Sequence, residues 1–270
     1  MKVLILGSTG MLGNAVAEYF LNKSEYDVVT TYRDKDYAFA GNAIYFDALE
    51  DGFSKLPVDA DYVINCIGII KPFMAQSIEN AITINSLLPH KLAKWCEDNS
   101  MKLIHITTDC VFSGLKGKYT ESDAHDALDD YGKSKSLGEC TDKAMVLRTS
   151  IIGEEIHKNA SLIAWAKSQK NNTINGFVNH FWNGVTNKEY AKICDKIISD
   201  NLYEKGLYHV YAADDVSKYD MMHYFNEKYN LNLKINAFEA AQSCDRTMRT
   251  EKKLCEKLEI PTVKQMIEEI

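Results

Sequence analysis

Lys2-Val-Leu-Ile-Leu-Gly-Ser-Thr-Gly-Met-Leu-Gly13 opens the chain with five residues that read as a buried strand, followed by three glycines at fixed spacing, Gly7, Gly10 and Gly13. The next stretch, Leu12 to Asn22, carries Leu12, Val16, Tyr19 and Phe20 at i, i+4, i+7 and i+8, the stripe of an amphipathic helix. A strand, a glycine turn and a helix together predict a dinucleotide-binding crevice. Glycine lets the turn bend tightly, lets the main chain approach a pyrophosphate, and lets helix and strand pack closely. The unpartnered amides of the first helical turn then face the phosphates, and the helix dipole favours their charge. Gly7, Ser8, Thr9, Gly10, Met11, Leu12 and Gly13 are the expected cofactor contacts on this element.

Strands and helices go on alternating. Asp27–Tyr32, Ala43–Phe46, Tyr62–Ile67, Lys102–Thr107 and Met145–Thr149 are short and rich in β-branched residues, and a helical pattern from Ser77 to Asp98 separates the strand at Tyr62 from that at Lys102. Another helix starts near Tyr131. Strands without polar alternation are covered on both faces, so the expected class is α/β: a Rossmann-type doubly wound parallel sheet with a smaller C-terminal substrate lobe. Beyond Ser150 the pattern turns irregular and more helical, with helices at Ser161–Gln169, Asn187–Ser199 and Ser217–Lys228 and a strand at Tyr208–Tyr211. The expected division is a cofactor-binding domain at 1–155 and a substrate lobe at 156–270, with a segment near 184–212 returning to the first.

Composition narrows the class. The chain has 270 residues and a net charge of −7, and its 31 basic and 38 acidic residues are mixed along it, so no basic patch for nucleic acid is expected. No apolar stretch approaches a membrane span, and the N-terminal apolar run is too short for a signal peptide. Seven scattered cysteines without a CxxC pair suit reduced thiols, hence a cytoplasmic location, and seven histidines without close pairing predict no metal.

The second strand ends at Thr31-Tyr32-Arg33-Asp34. An acid there holds the adenosine ribose in NAD sites, whereas an arginine pairs with a 2′-phosphate, so Arg33 favours NADPH over NADH. Asp47, after the third strand, is placed to accept from the adenine amine, and Cys66, Ile67 and Gly68 give the ribose room. Tyr131 and Lys135 form a YxxxK pair, on one face of a helix. A lysine beside a phenol should lower its pKa and make it a usable general acid or base. The same spacing recurs at Tyr19–Lys23 and Tyr224–Lys228, but only Tyr131 follows a strand ending in hydroxyls, Thr107-Thr108.

The turn GSTGMLG, Thr108-Asp-Cys-Val-Phe-Ser-Gly114, Tyr131-Gly-Lys-Ser-Lys-Ser-Leu-Gly-Glu139, Arg148-Thr-Ser150 and Trp182-Asn-Gly-Val-Thr186 resemble the extended short-chain dehydrogenase/reductases. Within them the dTDP-4-dehydrorhamnose reductase group is the nearest match. The resemblance is strong to Ser150 and looser beyond. It implies NADPH- or NADH-dependent reduction of a nucleotide-linked 4-keto-6-deoxy sugar. Thr108 would hydrogen-bond the substrate carbonyl, Tyr131 protonate it, and Lys135 tune Tyr131 and hold the nicotinamide ribose, with Asn85 anchoring a water nearby. Val111, Trp182 and Asn183 are expected near the sugar, with Arg246 and Arg249 clamping a diphosphate. Relatives often pair through two helices, here near Ser77–Asp98 and Tyr131–Glu139, so a homodimer is expected to be open to this chain.

Two alternatives attach to the same resemblance. Dehydratases carry Glu where this chain has Cys110, which argues against water loss. GDP-fucose synthases and plant epimerase/reductases carry Cys there, so a thiol with a lowered pKa would add epimerisation to reduction, with His157 or His180 as the second acid or base. The regulatory β subunit of methionine adenosyltransferase also resembles the group, and is a non-catalytic binder.

Overall fold

The computed structural model describes residues 1–34, 36, 38, 39, 41–156 and 161–270. Its strands are β1 (Lys2–Leu6), β2 (Asp27–Tyr32), β3 (Ala43–Tyr45), β4 (Tyr62–Asn65), β5 (Lys102–Thr108), β6 (Met145–Thr149), β7 (Ile151–Ile152), β8 (Thr173–Phe177), β9 (His180–Trp182), β10 (Val185–Thr186), β11 (Gly206–His209), β12 (Val216–Ser217), β13 (Lys234–Phe238) and β14 (Cys244–Asp245). The helices are α1 (Met11–Leu21), α2 (Ile78–Ile82), α3 (Leu88–Asp98), α4 (Asp130–Leu137), α5 (Leu162–Ser168), α6 (Asn187–Ser199), α7 (Lys218–Tyr229), α8 (Leu254–Leu258) and α9 (Val263–Glu268).

Seven strands form one parallel sheet in the order β11-β6-β5-β4-β1-β2-β3. Alternation of side chains divides β1 between two layers: Val3 and Ile5 pack with Val16 and Phe20 of α1 and with α6, while Leu4 and Leu6 pack with Leu92, Ala93 and Cys96 of α3. Helices thus cover both faces, which is why these strands are apolar throughout. The sequence of strands reverses direction across the sheet between β1 and β4, and ligands of open parallel sheets bind at such a point.

The strand expected at Tyr62–Ile67 ends at Asn65, because the side chain of Asn65 turns back to accept the amide of Ile67 at 3.1 Å. That expected at Tyr208–Tyr211 is shifted to Gly206–His209 and pairs with β6. Three small sheets, β10 with β7, β12-β9-β14 and β13 with β8, complete the later part of the chain. β7, β9, β10, β12 and β14, of two or three residues each, are too short for a period to register in the sequence.

Gly7 turns the chain at φ +80, and a Cβ on Gly13 would stand 2.1 Å from the Gly7 carbonyl oxygen. The close packing of helix on strand therefore needs glycine at 13. Gly13→Ala is expected to lose about 1–3 kcal/mol of stability by forced displacement of the turn; equilibrium urea unfolding of the full chain checks it, and an unchanged midpoint would refute it.

Candidate functional site

The turn at the end of β1 is tied to the end of β2. Gly7 donates its amide to Thr31 Oγ1 at 2.9 Å, and the Ser8 hydroxyl donates to the Thr31 carbonyl at 2.8 Å. Ser8, expected among the cofactor contacts of the turn, is wholly buried and its side chain is spent on this tie. Beyond it, α1 starts at Met11 with Gly10 as cap, no side chain accepting its first amides and no acid in its first turn. Those amides suit an anion. Gly10 is exposed, and Thr9, Met11 and Leu12 are partly buried around it. At the adenosine end Arg33 stands exposed after β2, and Asp47, partly buried, accepts the Leu49 amide at 3.0 Å through one carboxylate oxygen.

Across the crevice the Ile67 side chain lies against Gly7, and Gly68 is exposed. The Cys66 thiol faces away, toward Tyr190 and Cys194 of α6, and burial pushes it up to about 12. It lines the crevice by its backbone rather than by its thiol. Asn85 grips the next residue of this loop: its amide oxygen accepts from Ile69 N at 2.9 Å, and its nitrogen donates to Ile69 O at 2.9 Å and to Ser134 Oγ at 3.2 Å. Asn85, expected to anchor a water, clamps the loop directly.

Asn85 owes its position to an irregularity. Between α2 and α3 the helix widens into a π turn, Thr83–Leu87, in which the amide of Leu88 donates to Thr83 O, five residues back. Pro89 follows at the start of α3. It has no N–H for the Asn85 carbonyl and its ring would crowd that carbonyl in a regular helix. The displaced carbonyl instead lies against Gly138, where a Cβ would come within 2.0 Å of it.

The candidate reacting groups meet at the C-terminal end of β5. Thr108 closes that strand and donates its hydroxyl to Asp109 Oδ1 at 3.1 Å, while accepting the Cys110 amide at 3.1 Å. Tyr131 sits in the first turn of α4, whose cap Asp129 accepts the Gly132 amide at 2.9 Å. The phenol of Tyr131 lies near enough to the Thr108 side chain for Thr108 to favour its ionised form. Lys135, one turn on and buried, donates to the Ile106 carbonyl at 3.3 Å. A Cβ on Gly68 would lie 3.7 Å from the Lys135 ammonium nitrogen and 3.7 Å from Asn85 Oδ1, so the crevice loop and the trio adjoin.

The electrostatics correct one expectation. The phenol is not lowered: burial, and then Cys110, raise the Tyr131 pKa, against the influence of the Thr108 side chain, while Asp109 and Asp129 raise it further. The Lys135 ammonium is itself desolvated, which lowers its pKa to about 8 although Glu139 opposes the shift. A neutral phenol is what proton donation to a developing alkoxide requires. Cys110 differs too. Burial, with Asp109 adding, pushes its thiol up to about 12 despite Thr108 and Arg246, so the lowered thiol pictured for epimerisation is absent. His180 lies tilted against Phe177, with ring centroids 4.7 Å apart, and is bonded to the Gln242 carbonyl. His157 lies outside the described residues.

The expected substrate residues need more revision. Val111 is fully buried against Phe112 and Tyr119, which leaves it no face for a sugar. Asn183 is buried and holds the Met248 backbone with both ends of its amide, at 3.0 Å each. Arg249 is paired bidentately with Asp215 at 3.0 and 2.5 Å, so it is not a free clamp. Trp182 is 5% exposed and lies under the Lys218 ammonium, which stands 5.5 Å from the ring centroid. Arg246 donates to the carbonyls of Phe112 and Ser113 at 2.9 and 3.2 Å, on the segment that follows Thr108. Lys218 was not singled out in the sequence. Its signal was a cation in the first turn of a helix, the end where the dipole disfavours it.

Arg148, fully buried, braces the back of the site. It pairs with Glu139 at 3.0 and 2.6 Å, donates to His209 at 2.8 Å and to His125 at 2.5 Å, and lies over the Phe112 ring. Among the described residues no group of three His, Cys, Asp or Glu side chains could hold a metal, and no helix is long and apolar enough to cross a membrane.

A parallel sheet with a glycine turn at its reversal point, and a Thr, Tyr and Lys set beside it, define an extended short-chain dehydrogenase/reductase. Residues 1–260 match the RmlD substrate binding domain, and the chain belongs to that family. It is 28% identical over 238 residues to a dTDP-4-dehydrorhamnose reductase of Aggregatibacter actinomycetemcomitans, covering 81% of this chain and 76% of that protein. It is also 28% identical over 247 residues to methionine adenosyltransferase 2 subunit beta of Danio rerio, covering 85% of this chain and 74% of that one. The structure of a Bacillus anthracis dTDP-4-dehydrorhamnose reductase in complex with NADP superposes with a TM-score of 0.78 over 99% of this chain and 97% of that one, at 19% identity, a likeness of fold.

Proposed function

We propose that this protein reduces the 4-keto group of a nucleotide-diphospho-4-keto-6-deoxy-sugar, using NADPH. The observation that carries the reading is that Thr108 at the end of β5, Tyr131 in the first turn of α4 and buried Lys135 one turn on adjoin the crevice of the glycine turn. The uncapped start of α1 fits a pyrophosphate, and Gly7, Gly10 and Gly13 leave it room. When bound, the nicotinamide cofactor supplies a hydride. Thr108 holds the ketone oxygen, and Tyr131, kept neutral by burial, gives it a proton. Lys135 holds a positive charge near the forming phenolate. Residues 1–155 make the cofactor domain in this reading, with the 184–212 segment returning to it through α6 and β11, and 156–270 make the substrate lobe. The same reading sets the protein in the cytoplasm and pairs two copies through α2, α3 and α4, where Ile82, Leu87 and Leu137 are exposed.

Cofactor oxidation followed with a panel of 4-keto-6-deoxy sugars carrying dTDP, UDP, GDP and CDP tests the activity; turnover with one of them is expected, and none with all four overturns it. The likeness to methionine adenosyltransferase 2 subunit beta supports a second reading, a cofactor-holding partner subunit. A stoichiometric complex with a methionine adenosyltransferase catalytic subunit, in the absence of sugar turnover, would establish that one.

The 2′-phosphate gives a separate test. Arg33→Ala is expected to weaken NADPH by about 1.5–3 kcal/mol and to leave NADH nearly unchanged, as a charge-assisted contact requires. Fluorescence titration measures both, and equal losses would make Arg33 a solvated loop charge.

A further inference from the structure

We propose that Lys218 and Arg246 form a cationic subsite beside Thr108–Cys110 that takes an oxyanion carried by the substrate, an inference that rests on the sugar-nucleotide reading above. Lys218 is partly buried. Its ammonium meets the Met221 sulfur at 3.5 Å and the face of Trp182. No carboxylate lies within ion-pair distance of either Lys218 or Arg246 among the described residues. The nearest acid along α7, Asp220, is engaged in a capping box with the amide and hydroxyl of Ser217.

Three costs coincide at Lys218. Its ammonium has lost water, and burial lowers its pKa. It occupies the first position of α7, where the helix dipole opposes a cation. Arg246, on the loop after β14, adds a smaller repulsion than the attraction of Asp109. Asp109 is the carboxylate that reaches both at longer range, and burial raises its pKa against the pull of the two cations. Asp126 and Asp129 act on Arg246 from farther along the same loop. Arg246 keeps its charge favoured by the acids around it, but a desolvated lysine without an ion-pair partner is unfavourable in a folded protein unless an anion arrives to complete it. Arg246 uses two of its N–H groups on Phe112 and Ser113, which orients the rest of its donor fork.

Two parts of a sugar nucleotide carry such an oxyanion: the diphosphate and a carboxylate on the sugar. Both cations act on Asp109 and Cys110, the residues directly after Thr108, so they flank the reacting end of the sugar. The experiment separates the two sources. Full-length native protein, Lys218→Met and Lys218→Arg are titrated calorimetrically, with saturating NADP⁺, against UDP-glucose, UDP-glucuronic acid and dTDP-glucose, and in a parallel series their thermal unfolding is followed with inorganic pyrophosphate.

A Lys218→Met loss of about 10- to 100-fold for every nucleotide sugar that binds, recovered in part by Lys218→Arg, assigns the subsite to the diphosphate. A loss of that size confined to UDP-glucuronic acid assigns it to a sugar carboxylate and replaces the 6-deoxy sugar by a uronic acid. Native affinities retained in Lys218→Met overturn the proposal. Should no nucleotide sugar bind the native protein, the sugar-nucleotide reading fails by itself, and pyrophosphate then decides the subsite. Stabilisation of the native chain but not of Lys218→Met keeps it, and equal or absent stabilisation of both removes it.

Discussion

Tyr131→Phe is expected to lower sugar reduction by 10²-fold or more while leaving NADPH affinity close to native, because the ring still fills its place and only the proton donor is gone. Burial, Cys110 and Asp109 all hold the phenol in its neutral form, so the native rate should show no loss from phenol ionisation at mildly alkaline pH. Fluorescence titration of NADPH and stopped-flow cofactor oxidation give the two quantities separately. A near-native rate in the variant would move proton donation away from Tyr131.

Lys135→Met should slow turnover and yet stabilise the protein. The folded ammonium titrates at about 8, against 10.5 for the free side chain, because burial removes its water. The unfolded chain therefore holds this proton more tightly, and native stability rises with pH between about 8 and 10.5. Below that window the buried charge costs about 3 kcal/mol, so at pH 7 the Met variant is expected to gain an amount of that order, less the hydrogen bond to Ile106. By pH 10.5 the gain should have largely vanished. Urea unfolding of both proteins at pH 7 and near pH 10 provides the comparison. A variant less stable at pH 7, with the same pH slope as native, would show that the ammonium is not desolvated.

What the sequence disclosed depends on range. The glycine turn, β1, β2, β6 and α6 were legible because each is a local signal: a buried run, a fixed glycine spacing, a helical stripe. The juxtaposition of Thr108 with Tyr131 was legible as well, since a strand end and a helix start 23 residues apart are both marked locally. Burial was not. Val111 and Asn183 carry the right residue types near the right motifs, yet side-chain packing over long sequence separations turned them inward. The fate of Arg249 was set by Asp215, 34 residues away, which no spacing rule announces. Lys218 was hidden for the opposite reason: a lone lysine in a polar stretch reads as surface until the fold encloses it.

Pro89 and Gly138 form an interlock whose effect is genetic as much as structural. The proline sets the Asn85 carbonyl aside, and the glycine on the neighbouring helix makes room for it. Changing either alone breaks a fit that the other maintains, so the two positions are expected to be epistatic: a side chain at 138 becomes tolerable only after the helix around 85 has been made regular. That same regularisation would swing Asn85 off Ile69 and loosen the loop that adjoins Lys135. Selection for thermostability by removing helix prolines would thus reach the reacting site from a residue that touches neither cofactor nor sugar.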